Sequence, residues 1–478
     1  MSPVKTFGAV DFAVFVGMLL VTIIIGIYHA YKDREKKSIA NYYFGGGKMS
    51  PIPLGLSIAV TFISAINIIG FPAETYLFGT AIFWFCFIII VPTIVACLFH
   101  IPMVHRLKLV SIYQYLELRF DKKLRQACSA IMLFIMIVFI GLTIYVPGLA
   151  LNAVTPLGLE WTIVLTSFVC TLYTALGGMK AVVWTDTLQT FIMLAGCLAA
   201  LIKTTVHVGG FGNIWAALDR GNRLNFWNFT TDPTVRNSFW SICVGTSIAA
   251  SNPNQAITQR HLSCESIKKA RMAAMVAIVP HFVFSVITIL TGCAMYAYYE
   301  GCDPIMDKRI AKPDQMMPYL VVDVFNDVPG MAGLFVSAAF SATLSTVSSG
   351  INSLAALLLE DFVLHRYPKL SSTIQVTLSK GIVIGLGVLV MCFALTIKYF
   401  NGTIIQIAFT LGGTLGGPVL AVFTLGMFFP WANTKGTAIG QIVSTVLTGA
   451  LAICGIVYGN SSAHNRAMPL STAECTTI

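Results

Sequence analysis

Apolar runs of about twenty residues, the length that crosses some 30 Å of hydrocarbon as an α-helix, recur along the chain. Twelve are found, at about 9–30, 51–78, 80–103, 127–150, 159–176, 182–203, 237–258, 273–298, 331–359, 379–399, 404–429 and 436–458. No linker rich in Pro, Ser or charge marks off a soluble domain between them. The pattern predicts an all-α polytopic membrane protein with one transmembrane domain over 1–478. The first run is too long for the apolar part of a cleavable leader and no small-residue cleavage site follows it, so it reads as the first span. The segment His105 to Arg125 is amphipathic and predicts a helix lying at the interface.

Composition agrees: 56% of residues are hydrophobic and 10% charged, with mean hydropathy +0.80, whereas a soluble domain carries about 25% charge. The net charge of +10 is a matter of topology. With the N-terminus outside, the loops 31–49, 104–126, 177–181, 259–272, 360–380 and 430–435 fall inside and hold twenty of the thirty Lys and Arg, as the positive-inside rule requires. Nucleic acid is not needed to explain it. The Asn-X-Ser/Thr sequons at Asn228, Asn401 and Asn460 all fall outside and are the glycosylation candidates of a plasma-membrane protein. The outer loops 204–236 and 299–330 are long enough to form a cap. The twelve cysteines show no Cys-x-x-Cys pair, so neither zinc nor a disulfide framework is indicated, although Cys302 and Cys475 both fall outside and could pair.

Two spans look broken. Thr61-Phe-Ile-Ser-Ala-Ile-Asn67 is followed by Gly70 and Pro72, and the proline removes a backbone donor and interrupts the helix. In the seventh span, Gly245 to Gln255 sets Pro253 among the amides of Asn252, Asn254 and Gln255. Irregular backbone at membrane depth must face protein or a water-filled cavity. Breaks five spans apart suggest inverted repeats with the substrate site between them, over 51–203 and 237–429, flanked by the extra spans 9–30 and 436–458. Glycine and proline that merely occur in membrane helices would give the same composition. Leu411-Gly-Gly-Thr-Leu-Gly-Gly-Pro418 predicts a bend in the eleventh span, either a gate hinge or a close-packing surface.

The ninth span is crowded with hydroxyls. Ser341, Ser345, Ser348 and Asn352 form one helical stripe, and Ala342, Ser345, Thr346 and Ser349 share a face. Neutral oxygens without a carboxylate suit a weakly held monovalent cation such as Na⁺; equally, small hydroxyl residues let helices pack closely. Asp186, with Gln189 one turn on, sits at the inner end of the sixth span, where it could receive an ion leaving inward or form a salt bridge to Lys180 or a neighbouring loop. Asn67 and Ser64 lie at the break of span 2. Tyr145 offers a hydroxyl or reads as an interface residue, His281 reads as a satisfied packing histidine, and Glu74 and Asp11 fall near span ends within reach of water. No metal cluster, nucleophile elbow or Walker motif appears, so no enzymatic site or cofactor is expected.

The chain resembles the sodium:solute symporter family, in the branch of sodium-coupled monocarboxylate, multivitamin and iodide transporters. The stretches that carry this are Tyr43-Phe-Gly-Gly-Gly, Thr61 to Gly70, Gly177-Gly-Met-Lys-Ala-Val-Val-Trp-Thr-Asp186, Asn254-Gln-Ala-Ile-Thr-Gln-Arg260, Cys302-Asp-Pro, Pro313-Asp-Gln-Met-Met-Pro-Tyr319, Ser341-Ala-Thr-Leu-Ser-Thr346 and Glu360-Asp361. The resemblance implies a leucine-transporter-like fold of two inverted five-helix repeats and secondary active, Na⁺-coupled uptake of a small organic anion, foremost a monocarboxylate. A vitamin such as biotin or pantothenate, or an inorganic anion, is the alternative; an ion channel or sensor on the same fold is another class. It implies a sodium site of the Val60, Ile63 and Ala342 carbonyls with the Ser345 and Thr346 hydroxyls. Ser64, Asn67 and Tyr145 match positions lining the substrate cavity or a second sodium site, a role extended here to Asn254 and Gln255, and Asp186 and Gln189 match the sodium route inward. Two departures bear on the solute: Asn67 stands where anion transporters often carry glutamine, and Ser251-Asn-Pro is more polar than usual. Relatives in this branch usually have thirteen spans and a cytoplasmic tail, whereas twelve are read here.

Overall fold

A computed structural model of the chain describes residues 7–32, 39–155, 157–232, 235–399, 404–458 and 467–475. Among them every regular element is helical. The helices that position the site are α1 (Ala9–Lys32), α2 (Pro51–Phe62), α3 (Ala65–Phe78), α4 (Thr80–Leu107), α5 (Lys122–Val154), α6 (Leu159–Ala175), α7 (Gly178–Val208), α8 (Trp240–Ala250), α9 (Gln255–Leu262), α10 (Ile267–Tyr298), α11 (Met331–Leu358), α12 (Ser372–Thr396), α13 (Ile404–Phe428) and α14 (Thr434–Tyr458).

Nine described helices are long and apolar enough to cross a membrane, and α2 with α3 makes a tenth span bent by 52°. The shorter apolar helices α6 and α8 account for the remaining two of the twelve apolar segments. α6 and α7 follow one another directly, yet the chain reverses at Gly178, which takes φ 60° and ψ −175°. Only glycine adopts that backbone freely. The hydroxyls of Tyr173 and Thr185 therefore hydrogen-bond each other, whereas a straight helix would hold residues twelve apart at about 18 Å.

α11 runs through the middle of the molecule, against α1, α2, α3, α5, α7 and α12. Its most apolar stretch is 89% buried inside the protein, against 6% for α14, whose Ile, Leu and Val side chains face outward. The hydroxyls of α11 thus meet protein and not lipid. This is the only setting in which a membrane helix carries so many.

Both broken spans are broken, but the first not at its proline. α3 continues through Pro72, and the extended backbone falls at Ile63 and Ser64. The cause is a reciprocal cap: Ser64 Oγ accepts from Ile66 N at 3.2 Å, while Asn67 Oδ1 accepts from Ser64 N at 3.0 Å and from the Ser64 hydroxyl at 3.1 Å. In the seventh span, Asn254 opens α9 by accepting from Ala256 N at 2.8 Å and Ile257 N at 3.4 Å. The bend expected in α13 is a wide turn at Gly412–Gly416. Its freed carbonyls are taken by Thr448, bound to Thr414 O at 2.7 Å, and Asn252, bound to Gly416 O at 3.2 Å.

The segment from His105 to Arg125 is not one interfacial helix. Lys108 in the left-handed region ends a helix at Leu107, and a second, short helix occupies Gln114–Arg119. The side chain of Gln255 holds the intervening turn, accepting from Ile112 N at 3.0 Å and donating to Val110 O at 2.9 Å. At the opposite end of the bundle, Cys302 and Cys475 form a disulfide. Residues 467–475 lie there as a strap, with Met468 N bound to Leu77 O at 2.9 Å and Asp303 N to Ser471 O at 2.8 Å.

Candidate functional site

The two breaks face one cavity of about 640 Å³. Thr61, Ser64 and Asn67 line it from α2 and α3, Asn252 and Asn254 from the other break, Thr346 from α11, His281 from α10, and Gln406 and Thr410 from α13. Most of the remaining wall is apolar, with Phe62, Phe71, Phe85, Phe139 and Phe409 prominent. Such a mixture of apolar wall and few converging polar groups is the usual form of a small-molecule site.

Beside the cavity stands a set of buried oxygens outside the helical ladders. Thr346 Oγ1 is buried and unpartnered, and Ser345 Oγ, also buried, faces the Asp186 carboxyl. Ser64 N turns to Asn67 Oδ1, so the carbonyl of Val60 loses the amide four residues on. At Ile63 the backbone is extended, which turns its carbonyl out of the helical ladder. Ala342 is fully buried one turn before Ser345 and Thr346. A buried hydroxyl left unmade costs about 1–3 kcal/mol, which a desolvated cation would recover. These residues fit a monovalent cation bound by neutral oxygens.

Toward the basic end of the bundle the polar groups continue. Asp186 is fully buried and its partner is Arg260 at 2.9 Å, not Lys180. Ser57 donates to the same Asp186 oxygen and accepts from Arg260 Nε at 2.7 Å. The Asp186 carboxyl is also faced by the Ser345 hydroxyl, whereas the buried amides of Gln189, Gln259 and Asn352 have no partner among the described residues. They lie on α7, α9 and α11, Asn352 two turns beyond Ser345.

Of the residues marked in the sequence, Ser64, Asn67, Asn254 and Thr346 line the cavity. Tyr145 is buried on α5 and does not line the cavity, and Gln255 is committed to the turn at 110–112. Glu74 is no exposed span-end group: it is 3% exposed on the cavity wall and held by Arg236 at 2.6 and 2.8 Å and by Asn237 at 2.9 Å. Asp11 is half-buried and accepts from the amides of Gly330 and Gly333. His281 is buried but not satisfied, since neither ring nitrogen has a partner among the described residues. Asn228 lies in a described loop at the disulfide-bearing end, whereas Asn401 and Asn460 lie outside the described residues. Arg260, Ser57, Arg236 and Asn252 were missed as site residues. Arg260 stood in a quoted motif, and a lone arginine beside a broken membrane span was the available signal.

The profile of the Sodium:solute symporter family matches residues 42–444. The chain belongs to this family. Sodium-coupled monocarboxylate transporter 2 of Mus musculus is 38% identical over 476 residues, 99% of this chain and 77% of that protein. The Sodium/iodide cotransporter of Homo sapiens is 36% identical over 476 residues, 99% of this chain and 74% of that protein. Among solved structures, the substrate-bound, outward-open state of a Na⁺-coupled sialic acid symporter superposes with a TM-score of 0.82 at 24% identity, over 97% of this chain and all of that one. A nucleobase-cation-symport-1 family transporter in a closed conformation matches 92% of this chain with a TM-score of 0.51. The symporter is a multi-pass membrane protein of leucine-transporter-like fold, and its relatives are transporters, not enzymes.

Proposed function

We propose that this symporter uses inward Na⁺ flow to take up a small organic anion, foremost a monocarboxylate, across the plasma membrane. One observation carries the reading: the Thr346 hydroxyl, buried and unpartnered, lines the same cavity as Ser64 at the break, with the buried Ser345 hydroxyl beside it on α11. Sodium held by Val60, Ile63, Ala342, Ser345 and Thr346 ties α11 to the broken span and favours the outward-open state. The anion then binds against Ser64, Asn67 and Asn254, the cavity closes, and sodium leaves inward past Asp186 and Gln189. The repeats are 51–203 and 237–429, with the N-terminus outside. Each Na⁺ moving down about 60 mV and a tenfold gradient releases roughly 2.8 kcal/mol, enough for about 100-fold accumulation of a neutral solute.

Radiolabelled uptake in cells, with lactate, nicotinate, biotin, pantothenate and iodide compared in Na⁺ and in choline, tests this. Uptake of a monocarboxylate in Na⁺ alone is expected. Preference for biotin, pantothenate or iodide would move the substrate class. Sodium dependence for none of them would overturn the symport reading, and sodium current without solute uptake would make the chain a channel.

A further inference from the structure

An anion entering the cavity meets a wall with little positive charge to offer. Among the described residues the titratable side chains that line it are Glu74, Arg236 and His281. Glu74 and Arg236 neutralise one another through two charge-assisted hydrogen bonds, with Asn237 adding a third to the carboxylate. His281 is therefore the one of the three with no countercharge against it.

Its surroundings are specific. His281 lies in the first half of α10, 1% exposed, with the ring of Phe62 edge-on at 6.4 Å and that of Phe85 at 6.0 Å. Phe62 ends α2 at the break, and Phe85 stacks on Phe409 of α13 at 5.9 Å. All three aromatic residues also line the cavity. A neutral imidazole carries one N–H donor and one acceptor, and here both nitrogens lack a partner. Packing alone would favour another aromatic or aliphatic side chain at this place, because an unmade buried donor costs about 1–3 kcal/mol. A ligand that brings a strong acceptor into the cavity removes that cost, and a carboxylate is the acceptor that gains most from a donor in a low-dielectric site.

We propose that His281 is a specificity-determining residue of the transport cycle, receiving the carboxylate of the bound solute on a ring N–H and so selecting anions over neutral solutes of the same shape. The inference rests on the anion-symport reading above. It assigns the anionic end of the solute to the α10 side of the cavity, between Phe62 and Phe85, and the polar rim at Ser64 and Asn67 to the remainder.

The test compares the wild type with His281→Leu, which keeps bulk but has no donor, and His281→Gln, which keeps one. Na⁺-driven uptake of labelled nicotinate is measured, with nicotinate and its neutral isostere nicotinamide as competitors. We expect His281→Leu to raise the apparent KM for nicotinate roughly five- to tenfold and to erase the preference for acid over amide, with the half-saturating Na⁺ concentration within twofold of wild type. His281→Gln should recover much of the preference. An unchanged KM and preference in His281→Leu at normal surface level would overturn the assignment. A wild type without Na⁺-dependent uptake of any anion would instead sink the symport reading. A separate arm tests the assignment in that case: His281→Cys in the purified protein should react with a negatively charged methanethiosulfonate beyond the wild-type level, and nicotinate should protect it. Absence of that extra modification, or of protection, also overturns the proposal.

Discussion

Arg260 and Asp186, 74 residues apart in the chain, meet as a fully buried ion pair at 2.9 Å, with the Ser57 hydroxyl bridging them. Every guanidinium nitrogen is engaged: the group also bonds Ala256 O at 3.0 Å and the Ser349 hydroxyl. The pair thereby joins α2, α7, α9 and α11 at the basic end of the bundle. The Asp186 carboxyl also faces the Ser345 hydroxyl of α11.

A buried pair is expensive to break on one side and cheap to remove on both. Arg260→Met alone should destabilise the protein by about 3–5 kcal/mol, because it leaves the Asp186 carboxylate uncompensated. Arg260→Met with Asp186→Leu should recover a large part of that loss. Melting midpoints of the purified single and double variants check this; additive losses would mean that the two groups do not act as a pair.

Ser345→Ala together with Thr346→Ala should raise the half-saturating Na⁺ concentration on the order of tenfold or more, since each tenfold step is only 1.4 kcal/mol of ion binding. Surface expression should hold, because the Thr346 hydroxyl has no protein partner and the Asp186 carboxyl that Ser345 faces keeps Arg260 and Ser57. Sodium-dependence curves against surface biotinylation separate the two effects. An unchanged sodium requirement would place the ion elsewhere.

Asp314 sits in the short turn Pro313–Gln315 outside the spans, 4% exposed. Burial pushes its carboxyl up to about 6, against the pull of a backbone hydrogen bond from Ile404 and of Lys312, and with a smaller push from Glu74. A carboxyl raised on folding favours the folded state when protonated. That contribution is complete below the unfolded value of 3.8 and is lost as pH rises through about 6. The melting midpoint in detergent should therefore fall between pH 4 and pH 6 by an amount corresponding to at most about 3 kcal/mol, and Asp314→Asn should flatten that slope.

The Cys302–Cys475 disulfide spans 173 residues of chain and fastens the strap over the ends of α3 and α10. Cys475→Ser, or reduction, should cost about 2–4 kcal/mol of stability through the freed chain entropy. It should also expose residues 467–475 to proteolysis. Limited digestion with and without reductant measures it, and an equally resistant strap would show that the hydrogen bonds alone hold it. Arg223 Nη2 adds a side-chain contact to the strap, donating to Pro469 O at 2.9 Å.

The apolar segments, nine of them helices of spanning length among the described residues and a tenth a bent pair, the two breaks, the bend in α13 and the hydroxyl stripe of α11 were legible in the amino-acid order. Crossing hydrocarbon with every backbone group paired is a demand each segment meets by itself, so it leaves a mark in each segment. Even the place of the first break was written locally, in the Ser64–Asn67 cap, whereas Pro72 is accommodated within α3. The path from His105 to Arg125 was misread because its turn is set by Gln255, more than a hundred residues on.

The sequence by itself thus determined the fold class, the family and the face of α11 that presents oxygens. Tertiary structure alone decided which polar groups are answered and which are not. Glu74 looked open to water and is locked by Arg236, Asp186 found Arg260 and not Lys180, and Gln255 left the cavity for a loop. His281, which read as a packing residue, emerged with both nitrogens unpartnered. The reason is physical: hydropathy and capping act between near neighbours in the chain, whereas satisfaction of a buried charge or hydroxyl depends on which other helix happens to stand opposite it.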